Sequence, residues 1–262
     1  MIKKIKIGLN NLYMFSNEAG EYVLLDTGIK CDREKIIPKI TKEIGDINNI
    51  RMIIITHSHD DHIGNLKLLA ENIKNKNLTL ISHIGAKGVL LSGKRNIPGG
   101  FYGITEFISR KIKAKVSERS SQETENVKKG KKIRENRKIV LLEENIKNTV
   151  FLDFEGYDEF PLKKYGFANL KVIYTPGHTM DSISLVYKDD DSNERYLFCG
   201  DTVQNLLWKK PLIPLFGDDI CVLLKSWRRI IEENYDRIYP ATGKYVVTGD
   251  LAKVAKYEKN RV

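Results

Sequence analysis

Five short apolar runs in this chain stop in the same way, and that recurrence limits the folds open to it more than any other feature. Tyr22-Val23-Leu24-Leu25 ends in Asp26-Thr27-Gly28. Met52-Ile53-Ile54-Ile55 ends in Thr56-His57-Ser58-His59-Asp60-Asp61-His62. Leu170 to Tyr174 ends in Thr175-Pro176-Gly177-His178-Thr179, Tyr196-Leu197-Phe198-Cys199 in Gly200-Asp201, and Ile238-Tyr239 in Pro240-Ala241-Thr242-Gly243. Runs this short and this apolar read as buried strands rather than helices. A strand that hands over to a turn and an ionisable side chain delivers that side chain to the edge of a sheet. Several can converge there without breaking a hydrogen-bond ladder.

Other stretches fill in an α/β pattern. Ile5, Ile7 and Leu12 to Phe15 read as an N-terminal meander, and Leu78 to Ile81, Thr149 to Asp153 and Ile183 to Tyr187 as further strands. Asp32 to Ile44 carries Ile36, Ile37, Ile40 and Ile44 at helical spacing; Pro38 falls inside that span, which allows the helix to begin near Pro38 instead. A second helix is expected from Ile63 to about Ile73, with Leu66, Leu69 and Ile73 inward, and a third from Val222 to Asn234. Ser92 to Gly103 reads as a Gly-rich loop, with Phe101 and Tyr102 as candidate apolar contacts for a substrate. His83 follows a strand but has no acid or histidine beside it in sequence, so it is expected to be an ordinary strand-end residue. Asp189 to Asn193 is a turn and lacks the glycine and glutamate of a calcium loop.

Composition narrows the class. With 262 residues, 41% hydrophobic and 30% charged, the chain belongs among globular proteins with a sizeable core. No apolar run reaches membrane-spanning length, and the alternating N-terminus lacks the apolar stretch of a signal peptide, so no membrane association and a cytoplasmic location are expected. Three scattered cysteines, Cys31, Cys199 and Cys221, make no disulfide framework. The net charge of +10 is concentrated: Arg110 to Lys138 holds twelve Lys or Arg against four Glu. That segment reads as a basic insertion, at about 109–148, in one domain spanning residues 1–262.

The chemistry lies at the strand ends. Imidazoles and carboxylates together suit a zinc-like divalent metal. Three of the five histidines fall between His57 and His62. His57, His59 and His178 are candidates for one metal pocket, and Asp61, His62 and Asp201 for a second beside it. Asp26 is placed to orient a ligand histidine from behind, or to serve as a plain turn aspartate. Two metals bridged by hydroxide would supply a nucleophile at neutral pH and polarise a carbonyl or phosphoryl oxygen. No nucleophile elbow, phosphate-binding loop or dinucleotide fingerprint competes with this reading.

These motifs resemble the metallo-β-lactamase-fold superfamily of metallohydrolases. His57-x-His59-x-Asp61-His62, Thr175 to Thr179 and Gly200-Asp201 occur in the family's order, and Asp26-Thr27-Gly28 matches its early strand-loop element. The resemblance implies a four-layer αββα sandwich with the site along one edge. It also implies that His57, His59 and His178 bind a first metal, that Asp61 and His62 bind a second, and that Asp201 bridges, with Asp61 and Asp201 as the catalytic candidates. The cofactor is expected to be zinc, one or two ions per chain, with iron or manganese as alternatives. One departure stands out. Relatives commonly supply a last histidine from a Pro-Gly-His-Gly-like turn, and here Thr242 takes its place. The second site is therefore expected to be weakened. Lys244, just beyond, offers a cation to an anionic substrate or is simply solvent-exposed.

The expected activity is metal-dependent hydrolysis of an ester, thioester, lactone or phosphodiester of a small molecule. A mononuclear iron sulfur-oxygenase, like a persulfide dioxygenase, is an alternative prompted by the missing ligand. A nuclease is a further alternative prompted by the basic segment, but that segment has hardly any aromatics to stack on bases and no partner nucleic acid is expected. A periplasmic β-lactam-degrading role fits poorly with the N-terminus.

Overall fold

The computed structural model describes residues 1–92, 100–101, 146, 148–154, 158–205, 213–214 and 216–259. Almost all of the expected basic insertion lies outside them, as do Tyr102 and the side chain of Phe101. The chain begins with β1 (Ile2–Ile7), β2 (Asn10–Ser16), β3 (Tyr22–Leu25), α1 (Arg33–Ile44) and β4 (Ile50–Ile54). A one-turn helix α2 (Asp60–Ile63), α3 (Leu66–Asn72), β5 (Thr79–His83), α4 (Lys87–Ser92), the two-residue β6 (Gly100–Phe101) and β7 (Asn148–Leu152) follow. Then come β8 (Glu159–Pro161), β9 (Leu170–Tyr174), β10 (Ile183–Lys188), β11 (Arg195–Phe198), β12 (Phe216–Gly217), α5 (Ile220–Glu233), β13 (Arg237–Tyr239) and α6 (Thr248–Lys259).

Two sheets carry the architecture: one in the order β1-β2-β3-β4-β5-β7, the other β13-β11-β10-β9-β8. In the first, β3, β4, β5 and β7 are parallel to one another, so β3, β4 and β5 end along the same edge. In the second, β9 and β11 both run antiparallel to β10, and β13 is parallel to β11. Thus β9, β11 and β13 also end along one edge. The two edges are tied together: the Ile183 amide donates to the Thr56 carbonyl (2.8 Å) and the Asn11 amide to that of Ala241 (2.6 Å).

Side-chain alternation along the strands produces the layers. Tyr13, Phe15, Met52 and Ile54 of the first sheet share a core with Val172, Leu185 and Phe198 of the second. Phe198 takes edge-on contacts from Tyr13 and Phe15 at 4.7 and 4.8 Å between ring centres. The intervening residues Leu12, Met14 and Ile53 point outward, onto Ile36 and Ile40 of α1 and Leu66 and Leu69 of α3. On the far side Ile173, Val186 and Leu197 pack under Leu223, Trp227 and Ile230 of α5. Each such side chain removed from water contributes roughly 1.5–3 kcal/mol. The result is the expected order of helix, sheet, sheet, helix.

The first expected helix is found and the second is interrupted. α1 runs from Arg33 to Ile44 as the spacing predicts, with Pro38 inside it, and the alternative start near Pro38 is not taken. Pro38 forfeits the bond its amide would make to the preceding turn, but Ile36, Ile40 and Ile44 are buried on either side and hold the helix together. The helix expected from Ile63 is broken at Gly64-Asn65, where the Asn65 side-chain amide reaches away to the carbonyls of Thr27 and Ile29, each at 2.9 Å. α4, β8 and α6 have no counterpart in the sequence pattern.

Candidate metal centre

Asp26 is the hub from which the site is built. It sits just past β3 with φ of +61°, a conformation unusual for a side chain other than glycine. Buried there, its carboxylate accepts from the Thr56 amide at 2.8 Å, the Thr56 hydroxyl at 2.9 Å and His62 Nδ1 at 2.8 Å. The end of β3 thereby fixes the start of the histidine loop that leaves β4. Since the Thr56 hydroxyl donates to Asp26, it is left to accept from His57 Nδ1, 3.1 Å away. This turns His57 Nε2, as a bare acceptor, toward the pocket.

The third histidine arrives from the other sheet. His178 Nδ1 donates to the Phe216 carbonyl at 2.8 Å, which likewise leaves Nε2 unprotonated and pointing inward. The Gly177 turn that presents it cannot carry a side chain: φ is +127°, and a Cβ there would lie 2.3 Å from the Leu223 backbone. His59 Nδ1 completes the set, 3.0 Å from His57 Nε2 and 3.1 Å from His178 Nε2. Three imidazole nitrogens thus converge in a buried pocket. Around a tetrahedral zinc with nitrogens at about 2.0–2.1 Å, neighbouring ligands would stand about 3.3–3.4 Å apart, so the set needs only a slight opening to take one.

Electrostatics agree with the geometry. Burial, reinforced by the neighbouring imidazoles, holds His57 well below the usual histidine range. The same causes bring His59 down to about 4, and burial lowers His178. All three are therefore neutral near pH 7, the form that binds a metal.

The other half of the cluster is different in kind. His62 Nε2 is buried without a hydrogen-bond partner, as is Asp201 Oδ1, and these atoms stand 3.7 Å apart. Burial opposes a charge on His62, yet Asp26, Asp61 and Asp201 raise it well above its ordinary value. Burial likewise opposes charge on Asp201, but the neighbouring His62 and His178 imidazoles and the Gln204 amide hold its carboxyl well below the usual range. Asp201 follows Gly200, which has φ of +54° and packs so closely on Thr56 that a Cβ would lie 2.7 Å from its hydroxyl. The Trp227 indole anchors the same turn by donating to the Thr202 carbonyl at 2.7 Å.

Two metal-competent groupings result: His57, His59 and His178, and His57, His62 and Asp201. Asp61 stands apart from both, with its side chain 37% exposed and Oδ2 3.5 Å from His62 Nε2. Thr242 is buried beside the pocket, bridged through its backbone to Asn10, and its hydroxyl has no partner. Lys244 is exposed, and its carbonyl accepts from Asn205. His83 is occupied elsewhere: it stacks on Tyr174 at 4.6 Å, with Nδ1 accepting from the Gly85 amide. Met180 and Phe216 are exposed, 47% and 39%, on the segments that flank and hold His178, and Phe216 pairs with Phe101 across β6 and β12.

Sequence reasoning misses three residues. Asn10 donates to the Asp61 carbonyl at 2.9 Å and to its Oδ2 at 3.2 Å. Gln204 donates to Asp201 Oδ2 at 2.8 Å. Asp181 accepts from the Ser58 amide at 3.1 Å, clasping the first histidine loop to the one bearing His178. Asp181 and Gln204 each lie three residues past a candidate ligand, His178 and Asp201, and Asn10 has no such neighbour.

Comparisons with known proteins bear on the family and the fold. The family profile described as the Metallo-beta-lactamase superfamily matches residues 6–243. A metallo-β-lactamase superfamily protein from the archaeon Sulfolobus tokodaii shares 20% identity over 98% of this chain and 85% of its own, with a TM-score of 0.56. The B3 metallo-β-lactamase BLEG-1 shares 20% over 97% of each chain, with a TM-score of 0.56. The DIM-1 metallo-β-lactamase shares 15% over 100% of this chain and 92% of its own, with a TM-score of 0.58. A histidine and aspartate cluster in this fold implies a divalent metal. With a profile match over most of its length and neighbours that share its fold, the chain belongs to the metallo-β-lactamase superfamily.

Proposed function

We propose that this chain is a zinc-dependent hydrolase of a small-molecule ester, thioester, lactone or phosphodiester. The observation that carries the reading is the convergence of three neutral, buried imidazole nitrogens, His59 Nδ1 standing 3.0 and 3.1 Å from the Nε2 atoms of His57 and His178. Neutral imidazoles backed by a carboxylate suit zinc, with iron or manganese next. A divalent ion held by His57, His59, His178 and Asp201 would acidify a water and polarise the substrate oxygen.

The chain's own residues supply the rest. Thr56, Phe216 and Asp26 fix which imidazole nitrogens face the pocket. Asp201 is buried among the metal-binding groups, whereas Asp61 reaches solvent with Asn10 on one oxygen, so Asp61 is the carboxylate placed to accept a proton from an attacking water. Met180 and Phe216 offer an apolar rim for the part of the substrate not being cleaved. Among the described residues no helix is long and apolar enough to cross a membrane, and Cys199 and Cys221 are free thiols, which suits a reducing cytoplasm.

The test is turnover of p-nitrophenyl esters, a thioester, a lactone and bis(p-nitrophenyl) phosphate, with and without chelator. Chelator-sensitive hydrolysis that vanishes in His57→Ala supports the reading. Full activity in that variant, after purification to homogeneity, overturns it.

A further inference from the structure

We propose that this centre works with a single tightly held metal, and that Asn10, Gln204 and Thr242 have made the second position a hydrogen-bonding wall that favours uncharged carbonyl substrates over phosphodiesters. The proposal rests on the hydrolase reading above.

Three observations lead to it. First, the last turn presents Thr242, whose hydroxyl is neutral, buried and unpartnered, beside the pocket. A neutral hydroxyl is a poor zinc ligand beside imidazole. Second, the Thr242 backbone bridges to Asn10, and the Asn10 side chain crosses to Asp61, donating to its carboxylate at 3.2 Å and to its carbonyl at 2.9 Å. One lone pair that a second metal would use is thereby engaged. Third, Gln204 donates to Asp201 Oδ2 at 2.8 Å, leaving Oδ1 as that residue's open acceptor. Both carboxylates that would hold a second ion are met by neutral amide donors.

Substrate class follows from charge. Among the described residues, Asp26, Asp61 and Asp201 are the carboxylates within ion-pair distance of His62. A second divalent ion would add two positive charges beside them, so a pocket that holds one ion is the less positive of the two. A pocket with one ion attracts an anionic phosphodiester less than a pocket with two. Lys244 does not reverse this, because it is exposed and its charge is screened by solvent.

The experiment counts metal on the full chain, loaded with zinc or cobalt and dialysed, by elemental analysis. About one equivalent is expected to remain. Thr242→His is expected to retain about two, and to raise the rate on bis(p-nitrophenyl) phosphate relative to a p-nitrophenyl ester by at least about tenfold. Two equivalents held equally tightly by the unaltered protein would overturn the proposal, and so would a phosphodiester rate equal to its ester rate. If Thr242→His does not fold, as judged by circular dichroism, the count and rate ratio on the unaltered protein still decide. One zinc with no hydrolysis of any substrate would uphold the count and overturn the hydrolase reading. One iron with oxygen uptake on a persulfide would do the same.

Discussion

The two halves of the metal centre are made from opposite materials. His57, His59 and His178 are themselves neutral, with the Asp201 carboxylate 3.9 Å from His178, and the outer nitrogens of His57 and His178 are already bonded to Thr56 and Phe216. Around His62, Asp61 and Asp201 there is charge, already answered by charge or by amide donors. The first half has lone pairs and no counter-ion of its own. The second already pairs its charges in part, through the contacts of His62 with Asp26 and of Asp201 with Gln204. A site that must capture a cation gains most from the former arrangement, since no existing ion pair has to be broken.

That contrast can be broken by substitution, beginning with the largest effect. His178→Ala removes a nitrogen from the neutral half. It is expected to lower metal affinity by well over the roughly 100-fold that an outer partner can contribute, and to abolish turnover; isothermal titration with zinc checks it. Retention of affinity there would mean that the charged half holds the ion. Asp26→Asn touches the backing of both halves, through Thr56 and His62. Its expected cost is about 10–100-fold in metal affinity, with a lower Tm in metal-free protein. Gly200→Ala, strained by its positive φ and crowded by Thr56, is expected to cost about 1–3 kcal/mol in denaturant unfolding. Lys244→Ala should change stability by no more than about 0.5 kcal/mol and leave the metal count as it was. A larger effect of Lys244 on substrate KM than on kcat would place its charge at the substrate after all.

Much of this is legible in the sequence because strand ends are local features. A β-branched run that stops at a turn identifies itself over six or seven residues, and Leu170 to Tyr174 is found where the pattern puts it. The convergence of Asp26, His57, His62, His178 and Asp201 follows once the strands are taken as parallel at one edge. Asn10 and Gln204 are invisible for a related reason. An amide side chain near a strand end has no motif, and the significance of Asn10 appears only when a residue 51 positions away is brought beside it. The isoleucine spacing that predicts α1 outweighs Pro38, because Ile36, Ile40 and Ile44 bury the helix against the sheet. Thr242 is visible as a departure, but its consequence depends on Asn10, which sequence spacing does not connect to it.

The two sheets contribute to the neutral half unequally: His57 and His59 come from the end of β4, His178 from the turn after β9. An ion bound there is a fastener between layers that are otherwise joined by apolar packing and a few edge hydrogen bonds. Sliding or parting of the sheets must release it, so the ion stabilises the whole sandwich by linkage, by about 2.7 kcal/mol at a free concentration about 100 times its Kd. During synthesis His57, His59 and His62 emerge long before His178, with an incomplete pocket. Secure capture of the metal therefore waits until the second sheet has formed and docked, and metal retention becomes a measure of complete folding as well as of a competent site.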